Sequence, residues 1–319
     1  MISIEHVTKR YGNKIAVNDV SFTIQKGEVV GFLGRNGAGK TTTMNMVTGY
    51  ISSSSGRVTV DGYDILTHPL DVKRRIGYLP EQPPLYLDMT VEEYLEFVCR
   101  IKHVAKPQWP KHLERIYEMV RITDVRKRMI KNLSKGYRQR VGVAQALVGS
   151  PDVLIMDEPT VGLDPRQIIE IRDLIKDLGK EHTVILSSHI LHEVADVCER
   201  VVIIDKGKLV AQDTLNNLQN RVGDSRRLQL RVDGPEADVK NALKALAGVN
   251  YVDVQGVREP DSCDYLLECD KETDVRRNVF ALMSDSRWPL LQMRSMDMTL
   301  EDIFIQLTTD GDRREGGDE

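Results

Sequence analysis

Residues 34–42 read GRNGAGKTT, directly after the apolar run EVVGFLG at 28–34. Gly34, Gly39, Lys40 and Thr41 meet the spacing G-x-x-x-x-G-K-[ST], with a further glycine at Gly37. Glycines let the backbone curl until successive N–H groups point inward at an anion. The run before the loop has strand character. TTTMNMVTG after it reads as a helix, whose N-terminal end adds positive potential. A glycine turn with a chance lysine is the alternative, and the strand-before, helix-after context argues against it. The expectation is a nucleotide triphosphate site, with Lys40 reaching the outer phosphates and the Thr41 hydroxyl ligating Mg²⁺.

Working outward, residues 153–159 read VLIMDEP. Asp157 closes a four-residue apolar run, where a carboxylate can hold Mg²⁺ through water, and Glu158 beside it is placed to orient or deprotonate an attacking water. An isolated acidic pair at a strand end is usually a solvent-facing pair. In a chain that already carries a phosphate loop, catalysis is the stronger reading. Just ahead of it lies LSKGYRQR, residues 133–140, a helix-start serine followed by glycine and basic residues. This is a second anion-facing segment, far from the first. From Arg126 to Arg140 there are seven Lys or Arg residues and no Asp or Glu. That run is either a solvated face or a positive field steering an anionic partner.

Taken together and in order, these residues resemble the ATP-binding subunits of ABC transporters over roughly residues 1–215. GRNGAGKTT corresponds to that family's Walker A loop and VLIMDE to its Walker B strand. LSKGYRQR corresponds to the signature loop, which most often reads LSGGQ. VGLDP supplies the D-loop aspartate Asp164. His189, closing ILSSH, falls at the switch histidine, and Gln82 in LPEQ at the Q-loop glutamine. Tyr11 matches the aromatic that stacks on adenine.

The resemblance implies that Gly34, Asn36, Gly37, Ala38, Gly39, Lys40, Thr41 and Thr42 cradle ATP. It implies that Thr41, Gln82 and Asp157 hold Mg²⁺, and that Glu158, His189 and Gln82 act in hydrolysis. Two subunits, copies or relatives, would pair head to tail, with Ser134 and Gly136 of one meeting the ATP on Lys40 of the partner subunit and Asp164 coupling the two sites. The two phosphate-facing loops would thus serve different ATP molecules. The family also implies a separate integral-membrane permease, contacted near residues 80–130, and a peripheral location on the cytoplasmic face of the membrane. Two positions depart from the pattern: Lys135 replaces a glycine and Tyr137 a glutamine. Lys135 either strengthens anion attraction or projects into solvent. The variant is similar to that of subfamilies tied to drug export, membrane-protein extrusion and gliding motility, which points to an exporter. An ATP-dependent regulator with the same core and no transport role is the alternative.

The 319 residues suffice for two domains. A net charge of −4 argues against general nucleic-acid binding. Cys99, Cys198, Cys263 and Cys269 form no C-x-x-C pair, which reads as reduced thiols. The N-terminus lacks the apolar core of a signal peptide, and no apolar run reaches the roughly 18 residues of a membrane helix. Any membrane role must then come through a partner.

Continuous apolar runs at VLIMD, HTVILSSH and RVVIIDKG predict strands buried on both faces of a mostly parallel sheet. The expected fold is α/β: a P-loop NTPase core of the ABC type over 1–218, with a helical lobe at about 85–150. After it the order strand, helix, strand, strand, helix, strand predicts a small ferredoxin-like α+β domain over 225–308 that ends in the helix TLEDIFIQLT. Residues 309–319 have no apolar side chain and predict a disordered tail. His189, His192 and Glu193 lack the further ligand that a metal site needs. The interval between Lys40 and Ser134 is too short for the long coiled coil of DNA-repair relatives, and the single core argues against the ribosome-acting ones.

Overall fold

The computed structural model describes residues 1–222, 225–257, 259, 261–270 and 273–296. The expected helix TLEDIFIQLT and the expected tail lie outside them. The chain forms two compact units, Met1–Leu215 and Asn216–Glu319.

In the first unit the elements run β1 (Ile2–Tyr11), β2 (Lys14–Ile24), β3 (Val29–Leu33), α1 (Lys40–Val47), β4 (Ser55–Val60), β5 (Tyr63–Asp64), α2 (Pro69–Arg75) and β6 (Ile76–Leu79). The helices α3 (Val91–Ile101), α4 (Trp109–Met119) and α5 (Lys135–Leu147) follow. Next come β7 (Val153–Asp157), α6 (Pro165–Gly179), β8 (Thr183–Ser188), α7 (Leu191–Ala195), β9 (Arg200–Asp205) and β10 (Lys208–Thr214). Six strands make one sheet in the order β10-β9-β3-β8-β7-β6, parallel except for the edge strand β10. All of β7 and β8 is buried, which is why their sequences are continuous apolar runs rather than alternating ones.

A second, antiparallel sheet has the order β2-β1-β4-β5. Ile2, Ile4, Val20, Phe22 and Val60 from it pack with Met44 and Val47 of α1 and with Val30, Phe32, Ile155 and Ile185 of the parallel sheet. Helix α1 is thereby held from both sides. Phe22 stacks on Phe32 across this core, ring centroids 5.5 Å apart. In the helical lobe, Thr90 caps α3 with Glu93 in a reciprocal capping box. Pro110 does not interrupt a helix. It sits in the first turn of α4, where a missing N–H costs nothing.

In the second unit, α8 (Leu215–Val222) crosses the boundary. It is followed by β11 (Ser225–Asp233), α9 (Glu236–Lys244), β12 (Val249–Gly256), β13 (Ser262–Asp270), α10 (Arg276–Asp285) and β14 (Leu290–Met296). The sheet order β12-β13-β11-β14 is antiparallel throughout, the ferredoxin-like arrangement read from the sequence. Its core holds Leu228, Leu230 and Val232 against Val239, Leu243 and Val279. No helix among the described residues is long and apolar enough to cross a membrane.

Candidate nucleotide sites

The C-terminal ends of the parallel strands converge, the place where open α/β sheets bind ligands. β3 ends at Leu33 before Gly34, β8 at Ser188 before His189, and β7 at Asp157 before Glu158. Between β3 and α1 the backbone reaches a left-handed conformation at Gly39, φ 107°. A Cβ there would lie 2.7 Å from the Ala16 carbonyl, so the position admits only glycine without rearrangement. The loop is clasped by backbone: Gly207 N–H donates to the Ala38 carbonyl (2.9 Å), and Asn18 N–H to that of Gly207 (2.8 Å).

Lys40 is 6% exposed. Its ammonium donates to the carbonyls of Gly34 (2.8 Å) and Arg35 (3.4 Å) and pairs with Glu158 Oε1 at 3.3 Å. The other oxygen of Glu158 accepts from His189 Nδ1 at 2.8 Å. The lysine that opens α1 and the glutamate and histidine just past β7 and β8 thus form one chain of contacts. Glu158 is 7% exposed and sits at φ 49°, unusual for a non-glycine residue. Two bonds hold it there, from its own N–H to the hydroxyl (3.1 Å) and the carbonyl (3.2 Å) of Ser187. The same Ser187 hydroxyl donates to Asp157, which is 1% exposed. Asp157 therefore does not face solvent. Ser187 was not singled out from the sequence; its position two residues before His189 is the signal that could have found it.

A cavity of about 680 Å³ opens over this group and is lined by Tyr11, Asn36, Gly37, Gly39, Lys40, Thr41, Thr42, Glu158 and His189. The volume lies within the range of small-ligand and cofactor sites. Lys14, Ala16, Glu81, Val161 and Lys206 also line it and were not anticipated. Tyr11 is half exposed, and the Lys9 ammonium lies 5.2 Å from its ring centroid. Gln82 stands apart from this cavity. It lines a neighbouring one of about 740 Å³, together with Thr41, Asp157 and Tyr78. The three residues expected to hold Mg²⁺ thus share one cavity. Burial, and then the Asp157 carboxylate, push the Tyr78 hydroxyl up to about 12.

Ser134, Gly136 and Asp164 come together elsewhere, in a cleft of about 410 Å³ with Arg140 and Gln167. None of the three lines the Lys40 cavity. Ser134 caps α5, its hydroxyl accepting from Tyr137 N–H at 3.4 Å. Asp164 caps α6, accepting from Gln167 N–H at 2.9 Å. Lys135 is exposed, its ammonium lying near Gly162. The basic run is partly neutralised within the chain. Arg126 pairs with Glu114, Lys131 with Asp88 and Arg140 with Glu170, and Arg138 bonds two backbone carbonyls. His189 precedes α7 rather than starting it, and Glu193 accepts from the Thr160 hydroxyl.

This fold and site define an ATP-hydrolysing α/β cassette. A family profile described as ABC transporter matches residues 17–161. Linearmycin resistance ATP-binding protein LnrL of Bacillus subtilis (strain 168) is 34% identical over 309 residues, 97% of this chain and 98% of that protein. Bacitracin transport ATP-binding protein BcrA of Bacillus licheniformis is 37% identical over 223 residues, 69% of this chain and 72% of that protein. A solved ATP-binding cassette, dimeric in a post-hydrolysis state with ADP and Pi, matches with TM-score 0.61 at 25% identity, covering 67% of this chain and 99% of that one. The chain belongs to the ABC transporter ATP-binding proteins and is an ATPase.

Proposed function

We propose that this chain powers a separate integral-membrane permease, working outward, by ATP-driven head-to-tail closure of two such subunits. The observation that carries the reading is the chain Lys40–Glu158–His189 at the converging strand ends, set apart from the Ser134–Gly136–Asp164 cleft. ATP on Lys40 would meet Ser134 and Gly136 of the partner subunit, and loss of the γ-phosphate would release the joint. Glu158 orients the attacking water, His189 and Gln82 sense the γ-phosphate, and Tyr11 stacks on the adenine.

The all-oxygen donor set of Thr41, Gln82 and Asp157 around one cavity fits Mg²⁺. When bound, the ion would neutralise phosphate charge during transfer. The outward direction is supported by relatives named for linearmycin resistance and bacitracin transport. The subunit would lie peripherally on the cytoplasmic face of the membrane.

The test is affinity purification of the native membrane complex under several mild detergents, with partners identified by mass spectrometry. A co-purifying multi-span protein is expected, together with ATPase activity that responds to it. Soluble partners only, with activity indifferent to membranes, would move the assignment to an ATP-dependent regulator.

A further inference from the structure

We propose that Lys9 is a positioning residue for the base of ATP. Its ammonium, held on one face of the Tyr11 ring, sets that ring to stack adenine on the other. This role rests on the reading above that Tyr11 stacks on the adenine.

Tyr11 ends β1 opposite Lys14, at the hairpin that leads into β2, and is half exposed. A half-exposed tyrosine with nothing beside it samples several rotamers and loses that freedom when a base stacks on it. Lys9 restricts the ring before any ligand arrives. Its ammonium lies over the ring, 5.2 Å from the centroid and inside the reach of a cation–π contact. The ammonium is fixed a second time, donating to the Ser52 carbonyl at 2.6 Å. Lys9 is itself half-buried. Tyr11 lines the cavity over Lys40, whereas Lys9 is not among the described residues that line it. The ring thus separates the ammonium from the cavity and keeps one face for a ligand.

The Ser52 carbonyl is a firm support. Ser54 N–H donates to the Thr8 carbonyl (2.8 Å), and the Ser54 hydroxyl accepts from Arg10 N–H (3.0 Å). The loop before β4 is therefore bonded to β1 on both sides of Lys9. At its other end, Tyr50 N–H (2.9 Å) and Ile51 N–H (3.2 Å) donate to the Asn45 carbonyl. Asn45 belongs to α1, the helix that Lys40 opens. The tyrosine at the rim and the lysine at the floor of the cavity are thus tied together through residues 45–54 and Lys9. The pairing of β1 on β2 supports the same arrangement. It jumps from Lys9↔Val17 to Arg10↔Ile15, an irregularity of the kind that re-aims side chains beside binding sites. The residue skipped, Ala16, lines the cavity.

The test is calorimetric titration of the full chain with ATP and with inorganic tripolyphosphate, which has no base, at 0.15 M salt with Mg²⁺. A cation–π contact at an exposed site is worth a factor of about two to five, so Lys9→Met should weaken ATP binding by that much. Tripolyphosphate should stay within about 1.5-fold of native, because exposed charges more than about 8 Å apart are largely screened at this salt. Its binding also reports that the variant is folded. Lys9→Arg, whose guanidinium stacks on aromatic faces too, should bind ATP within about twofold of native. In a Tyr11→Ala background, Lys9→Met should have no further effect on ATP.

Unchanged ATP affinity in Lys9→Met would overturn the proposal. So would equal weakening of both ligands, which would assign the lysine to general charge attraction or to support of the fold. A loss that persists undiminished without the Tyr11 ring would overturn it as well. Native ATP affinity in Tyr11→Ala alone would instead remove the stacking reading on which the role of Lys9 rests.

Discussion

The loop around Lys40 and the loop around Ser134 are both proposed to meet phosphate, yet they are built differently. The first is walled by backbone: the Gly39 turn, the Ala16 carbonyl at its side, and the Gly207 N–H bonded to Ala38. The second is a helix start whose surroundings are side chains, among them Gln167 and Arg140. Where the wall is backbone, as at Gly34 and Gly39, an added Cβ has no room, because the wall cannot change rotamer. A site bordered by side chains can accept new residues if the border repacks.

The sharpest way to break the comparison is at the carboxylate that touches the first loop. Glu158→Gln should lower kcat by roughly 10²- to 10⁴-fold, the usual weight of a general base, while ATP binding persists. With ATP the variant should accumulate as a closed dimer, visible by size-exclusion chromatography. Native-rate hydrolysis would remove Glu158 from the catalytic role.

Next in size is Gly39→Ala, where left-handed backbone and a carbonyl 2.7 Å from the new Cβ act together. Strain and overpacking of about 1–3 kcal/mol each should weaken ATP binding at least tenfold. Tyr137→Phe in the second loop loses only the exposed bond to Asp124 and should stay within about 0.5 kcal/mol of native stability. Equal damage from the two variants, measured by nucleotide titration and thermal melts, would show the two loops to be alike. Ser134→Ala removes the cap of α5 and should cost about 1 kcal/mol, a melting shift of a few degrees.

Most of this frame was legible before any coordinates. β7, β8 and β9 are buried strands and therefore read as unbroken apolar runs. The strand and helix order of the second unit was legible because each element is short and bounded by turn residues. The sheet of β1 and β2 was not. Register shifts after Ile4, Val7 and Lys9, with His6 at φ 51°, break the two-residue alternation that marks a strand. Site residues followed the same divide. Lys40 and Glu158 announce themselves by local pattern. Ser187 acts through bonds to a neighbouring strand. Its place two residues before His189 is the one local sign of it.

A last expected effect, one that depends on pH, concerns the far end of α5. Lys102 donates to the carbonyls of Ala146 (3.2 Å) and Val148 (2.8 Å) at that end, where it lines the cavity shared by Thr41 and Asp157. Burial pushes its ammonium down to about 8, below the ordinary lysine value of about 10.4. Between those values the unfolded chain holds the proton and the folded chain has released it. Stability should therefore rise as pH increases from about 8 to about 10, and the penalty for the buried charge is fully present below about 8. The neutral amine keeps N–H donors for both carbonyls, so the helix end stays bonded through the change. Lys102→Met should flatten this window by on the order of 2 kcal/mol, read as denaturant midpoints at pH 7.5 and 9.5. A slope that survives in the variant would assign the alkaline gain to another group. A slope that vanishes would show the C-terminal end of α5 held by a titrating lysine.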